Sequence, residues 1–518
     1  MAAESKNDSQ DQAGQNWLHR QIQRLRSIRQ RNVVIAQVGR GARNIVIGTH
    51  NIQINVGNRN LTLPVLSIPL LLLVIVAFLT YPLVEPIWNP AQMAGQFRIA
   101  MAQFGEVGSD GRVRATENGR VLSKWLFDGL FEEYRRNADM ELADAIEIWH
   151  DSRTDIAQNM KFGIMSGDTA EARRASAAKL AEKIGAHMVI YGNVIAGEPS
   201  SSLDLEFYLS PLVNDETAAI IGPHRLGRPI PLPTPFDTGR PETNIAVDEK
   251  LRVRTDALFW LTIGLTQQLL GRSEQALETF QRAEQELTNW PEHDGKEILY
   301  FFIGREELFL NQSENAEASF RKALEIDHNY ARAQVALGSS YLQRARATAP
   351  EARLEEPKYL EQALDNHLKG LELALAAEDP LLEAVARIAL AKSYRLLGET
   401  YYFLDAYKEA NRLFELVISE VEQAASLLAD TQQYRLLAQA YEVQGAAYLQ
   451  QGDILRRQQE TEESRARFEL ARTAYQDCVK QGDRAFFDQI LRDKVIEQGC
   501  QRYSEVAQGY LHELEGEQ

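Results

Sequence analysis

Residues Phe259–Leu287 read FWLTIGLTQQLLGRSEQALETFQRAEQEL. Apolar side chains recur every three or four positions on both sides of Gly271, which predicts two amphipathic helices joined by a glycine turn. Gly264, Ala276 and Ala283 fall where those helices would face each other. Small residues there let the backbones approach, while Trp260, Ile263 and Phe280 fill the space between. This pairing of small and large decides the fold of the C-terminal half, because it returns. Tyr300, Ile303, Gly304, Ala316, Phe320 and Ala323 form a second copy. A third has Leu337, Gly338 and Tyr341, then Ala363. A fourth has Leu390, Ala391, Tyr394 and Gly398, then Ala410 and Phe414. A fifth has Gly445, Tyr448 and Gly452, then Ala471 and Tyr475.

The spacings resemble the tetratricopeptide repeat (TPR), a helix pair of about 34 residues. They predict five repeats over 250–480 and capping helices over 481–518. From the Gly or Ala of the first helix to the Ala of the second, the first two copies use 12 residues and the later ones 25, 19 and 26. The excesses in the fourth and fifth are close to two and four helical turns, so lengthened helices would keep their buried face in phase. The third excess holds Pro350 and Pro357 and reads as a loop. Such arrays bind extended peptides or partner helices on a concave face, bind copies of themselves in some cases, and usually perform no chemistry.

The charge is unevenly spread. Residues 1–60 carry nine Lys/Arg and three Asp/Glu, a balance of +6, so the net −17 of the 518-residue chain leaves −23 for the rest. That excludes nucleic acid as a partner of the C-terminal part and suggests basic or neutral protein partners.

Upstream of the repeats, residues 223–249 form a proline-rich linker, with six prolines between Pro223 and Pro241. It reads as an extended spacer or as a ligand for an aromatic groove. Residues 97–222 alternate strand and helix, which gives an α/β layer domain. Its strands are FRIAMAQFG (97–105), AIEIWH (145–150), AHMVIYGNV (186–194) and LDLEFYLSPLV (203–213). Its helices are ENGRVLSKWLFDGLFEEYRR (117–136) and DTAEARRASAAKLAEKIG (168–185), the second capped by Asp168 and ended by Gly185. The segment LAEKIGAHMVIYGNV, with Gly185 and Ala186 leading into an apolar strand closed by Gly192, resembles the TolB amino-terminal-like domain, related to the FlgO and CsgG types. The resemblance implies a fold and an envelope setting, and no catalytic residues. EVGSDGRVRAT (106–116) stands where the family has its usual loop.

The N-terminal part reads as an anchor. Leu61–Val84, LTLPVLSIPLLLLVIVAFLTYPLV, has no charged side chain and is long enough to cross a hydrocarbon core of ~30 Å, with membrane lipid as its surroundings. Eight arginines between Arg20 and Arg59 precede it, which puts the N-terminus in the cytoplasm and the C-terminal domains outside it. Residues 1–32 form a polar tail and a basic amphipathic helix, and 33–60 a short β-rich segment with glycine-ended runs. The fold class expected is thus multidomain: a single transmembrane helix, an α/β domain of mixed sheet with flanking helices, and an all-α TPR superhelix.

No catalytic, cofactor or metal constellation stands out: the nine histidines are dispersed and no phosphate-loop or nucleophile-elbow motif occurs. His150–Asp151 reads either as a cleft pair or as an ordinary strand-to-loop turn. Cys478 and Cys500 lie on neighbouring helices and can form a disulfide or remain buried thiols. The function expected is a non-enzymatic, membrane-anchored scaffold of the bacterial cell envelope. The alternative is a transmembrane sensor whose outer domains bind a ligand and whose inner segment signals or oligomerises.

Overall fold

A computed structural model describes residues 92–516, apart from 109, 138–139, 151–161, 168, 196–200, 212–219, 234–240, 287–294, 356, 430, 432 and 485–491. The segments read from sequence at 1–32, 33–60 and 61–84 lie outside the described residues. Among the described residues no helix is long and apolar enough to cross a membrane. The expected fold class is therefore corrected to an α/β region followed by a helical repeat region. The 24-residue helices Pro380–Phe403 and Tyr434–Arg457 carry apolar stripes interrupted by Arg and Glu, not apolar sheaths, so their faces match other helices rather than lipid.

The α/β region opens with β1 (Phe97–Met101), β2 (Gly105–Val107) and β3 (Val113–Ala115). Helices α1 (Glu117–Asn137) and α2 (Met140–Ala145), strand β4 (Ile146–His150) and helix α3 (Ala170–Ile184) follow. Strands β5 (Met188–Ile195), β6 (Ser202–Leu209), β7 (Gly222–Arg225) and β8 (Ile230–Pro231) complete one mixed sheet. β5 runs parallel to β1 and β2 on one side and antiparallel to β6 on the other. Successive residues of a strand face opposite ways. Ala100, Trp149, Val189 and Tyr191 therefore pack with Ala177, Ala181 and Ile184 of α3. On the other face His150 stacks on Phe127 of α1. The α1 face is Leu122, Leu126, Phe127, Leu130 and Tyr134, and Phe131 is 40% exposed, outside that face. Thr169 caps α3 by accepting from the amide of Ala172, in place of Asp168, and Gly185 ends it with φ 69°.

The proline-rich stretch is not a free spacer. It supplies β7 and β8, which among the described residues pair only with β6, and at an edge strand proline's missing donor costs no ladder bond. It then enters α4 (Pro241–Leu269), with proline at the helix start.

From there the chain is helical. α5 is Ser273–Glu286, α6 Lys296–Phe309, α7 Ser313–Ile326, α8 Ala331–Arg346, α9 Pro350–Glu355 and α10 Lys358–Ala376. α11 is Pro380–Phe403, α12 Tyr407–Leu428, α13 Tyr434–Arg457 and α14 Thr461–Arg484. A π-helical segment, Arg492–Gln501, leads into α15 (Arg502–Gly516). Four pairs share one frame. A glycine of the first helix faces an aromatic ring 16 positions on: Gly264 and Phe280, Gly304 and Phe320, Gly398 and Phe414, Gly452 and Phe468. A Cβ on Gly304, Gly398 or Gly452 would lie 2.6–2.8 Å from the ring. Seven positions after each glycine the turn residue is left-handed, at Gly271, Asn311, Asp405 and Gln459. The fourth and fifth pairs are thus anchored at Gly398 and Gly452, not at Ala391 and Gly445. Their extra length lies away from the turn, with helices of 22 to 24 residues against 14 in α5, α6 and α7. The third excess is not all loop, because Pro350 starts the short α9.

Residues Trp88–Gln518 form one compact unit. The joint is specific. The Tyr134 phenol hydrogen-bonds the Thr262 hydroxyl, and its ring meets Phe259 edge-on at 5.2 Å. Burial pushes that phenol's pKa up. His224 of β7 stacks on Phe207 and reaches Phe302 of α6, with ring centroids 5.1 and 6.0 Å away.

Candidate functional site

Two concavities stand out. The larger, about 460 Å³, lies where α1 and α2 meet α4 and α5. Its lining is polar and balanced: Arg136, Arg252 and Arg282 against Glu133, Asp256 and Glu286. Arg282 of α5 sits 4.9 Å over the Trp260 ring of α4, so Trp260 lines this cleft while it touches the neighbouring helix. Burial, and then Glu133, raise the Asp256 carboxyl above its ordinary pKa.

The second concavity runs across the first helices of successive pairs: α6, α8, α11 and α13. Leu308, Val335, Ala336, Leu342, Val385, Ile388 and Leu436 form an apolar trough of about 80 Å³. Ala389, Arg305, Ser339, Lys392 and Gln439 complete the lining. The Lys392 ammonium donates to Gln439 Oε1 at 2.9 Å, tying α11 to α13 across the groove. Under the trough, His367 of α10 is fully buried between Ser393 (2.9 Å) and Ser339 (3.3 Å). Burial, and then Lys392, hold its pKa at about 3.

The residues read from sequence divide between packing and surface. Gly264, Ala276, Phe280, Ala283, Gly304, Ala316, Phe320, Ala323, Ala410 and Phe414 meet inside their helix pairs. Gly338 faces His367 in place of an aromatic ring, and Gly445 faces Tyr475. Tyr394 is fully buried, and Tyr341 is buried with its hydroxyl donating to Glu317 at 3.1 Å. Tyr300 and Tyr448 stand under Lys322 and Arg467. Cys478 and Cys500 are bonded and fully buried, joining α14 to the π-helical segment. His150 is 4% exposed, contacts Ser123 Oγ at 3.3 Å and has its pKa lowered by burial to about 4, so it is a core residue and not a cleft base.

The groove residues were missed because sequence reading followed the face that joins helices within a pair. Val335 and Ser339 border that face, meeting Gly370 and His367 of α10 while they also line the trough. The available signal was that α8 and α11 carry apolar residues on both faces.

A tetratricopeptide repeat family profile matches residues 298–330, which cover nearly all of α6 and α7. No curated protein matches the chain.

Proposed function

We propose that this chain is a non-enzymatic scaffold that holds protein partners in the groove of its helical array. The observation that carries this is the apolar trough built from four successive first helices. Apolar side chains aligned across neighbouring pairs match an extended segment or a helix laid across them. The α/β region, with its resemblance to the TolB amino-terminal-like domain, is the second contact in this reading. A compartment outside the cytoplasm belongs to the same reading, supported by the Cys478–Cys500 bond.

The test is crosslinking from the groove. A photo-crosslinker at Ser339 should capture a specific protein from the source cells, while one at exposed Leu470 should not. Identical products from both positions would refute the groove as the partner site. The junction cleft favours a second reading, in which a small ligand is sensed between the two regions. Its size falls within the usual range of ligand sites, and a ligand-induced rise in Tm that Asp256→Asn removes would support it.

A further inference from the structure

The junction cleft keeps an unspent pair of charges. Three arginines and three carboxylates line it. Two pairs close on themselves: Arg136 lies 3.7 Å from Glu133, and Arg282 lies 3.8 Å from Glu286. Arg252 and Asp256 remain. They stand one turn apart on the same face of α4, yet their side chains make no ion pair or hydrogen bond among the described residues. An arginine placed N-terminal to its acid at this spacing is the less favoured order on a helix, which helps to keep the two apart. Arg252 is exposed at the rim and Asp256 is half-buried. Burial and Glu133 outweigh Arg252 at the Asp256 carboxyl, which stays above its ordinary pKa.

The same face of α4 continues into an apolar wall. Phe259, Trp260 and Ile263 follow Asp256 over the next two turns and line the cleft. Beyond them the lining is polar again. Gln267 is 9% exposed; its amide oxygen accepts from the Thr279 hydroxyl at 2.7 Å, and its amide nitrogen meets no acceptor among the described residues. An enclosed donor left over in a cavity of about 460 Å³ is costly unless something enters to accept from it. The cleft therefore offers an unmatched cation, an unmatched carboxylate, an apolar wall and a spare donor, which is the make-up of a ligand site.

We infer that the junction cleft takes a zwitterion of amino-acid type, with its ammonium on Asp256, its carboxylate on Arg252 and its apolar side chain against Phe259, Trp260 and Ile263. This rests on the cleft being a ligand site, the second reading above. The lining carries cations and carboxylates in equal number, so a guest of zero net charge matches it better than an ion of either sign. Arg252 and Asp256 are separated by about 6 Å along the helix axis. That spacing sets opposite charges against two neighbouring groups of one small molecule. Glu133 of α1 and Leu142 of α2 complete the wall, so a bound zwitterion also ties the α/β region to the array.

The experiment is isothermal titration calorimetry on the full chain with four small compounds. L-phenylalanine should bind about tenfold tighter than N-acetyl-L-phenylalanine, which lacks the ammonium, and than phenethylamine, which lacks the carboxylate. Glycine, with no side chain, should bind weakest. Asp256→Asn should erase only the preference over N-acetyl-L-phenylalanine, and Arg252→Gln only the preference over phenethylamine. Binding of either analogue as tight as that of L-phenylalanine, or preferences that survive both substitutions, overturns the inference. If Asn137→Trp, at an exposed lining position, weakens the compounds in that case, the cleft stands as a ligand site with different chemistry. Indifference to Asn137→Trp removes both the inference and the cleft reading. If none of the four compounds binds, the inference fails, and a fragment screen by NMR decides the cleft reading: hits lost in Asn137→Trp keep it, and their absence removes it.

Discussion

The α/β region and the helical array bury their cores by opposite means. In the array the same contact recurs at short range, a glycine against a ring 16 positions on. In the α/β region the central pairing is distant: Ile99 lies beside Met188, with three strands and three helices between them. Local contacts form early and tolerate repetition, whereas a parallel pairing needs the intervening chain closed first. The polar groups they bury differ as well. The array holds charged groups in buried pairs, such as Arg387 with Glu420 of the next helix at 2.6 Å and with Glu383 of its own helix at 2.8 Å. The α/β region and its joint bury three histidines, His150, His187 and His224, against one in the array, His367.

That contrast makes acid the strongest way to separate the two regions. Burial lowers the pKa of His150 to about 4 and of His187 and His224 to about 3, from an ordinary 6.5. Below 6.5 the unfolded chain binds protons that the folded chain refuses. Stability is thus complete above pH 6.5 and is lost as pH falls toward the folded values. The slope is ~1.4 kcal/mol per pH unit for each histidine. In hydrogen exchange between pH 7 and pH 4, the sheet should lose protection before α11–α14. Simultaneous loss would mean that the joint at His224 couples the regions into one unfolding unit.

Reduction of Cys478–Cys500 should have a smaller effect, ~2–4 kcal/mol. It should be confined to the array's end, where Phe468 stacks on Tyr510 at 4.8 Å and Leu511 and Leu514 are buried. Exchange protection of Arg502–Gly516 should fall on reduction, with the sheet unchanged. A change in the sheet would show that the array transmits strain along its length.

The finest test compares hairpins within the array. Gly304→Val forces a side chain onto Phe320 and should cost ~1–3 kcal/mol in urea unfolding. Gly271→Asn should cost a few tenths at most, because that turn is left-handed and Asn311 holds the corresponding place in the next pair. Equal costs would mean that the turn, and not the glycine–ring contact, fixes the frame.

The array was legible in sequence because its contacts are local and repeated. Gly264, Ala276 and Phe280 lie within one hairpin, so spacing alone shows that they meet. The anchors of the long pairs were misread because both Gly445 and Gly452 are small, and only packing shows that Gly452 faces Phe468 in the common frame. The α/β region was legible as alternation, but its joint to the array was not. Six prolines suggested an extended spacer, whereas pairing of Gly222–Arg225 with β6 depends on residues that only the folded sheet brings near. The groove was hidden for a similar reason: Leu308, Val335, Ile388 and Leu436 come from four different helices.

The strands that the proline-rich stretch adds to the sheet have a consequence for solubility. An open sheet margin offers a row of amides and carbonyls on which another chain can extend the ladder. Here that margin is finished by two short strands that contain Pro223 and Pro231, residues with no amide hydrogen to give. A second molecule approaching along β7 and β8 finds an interrupted row of donors, so this side of the sheet is a poor template for fibre-like growth.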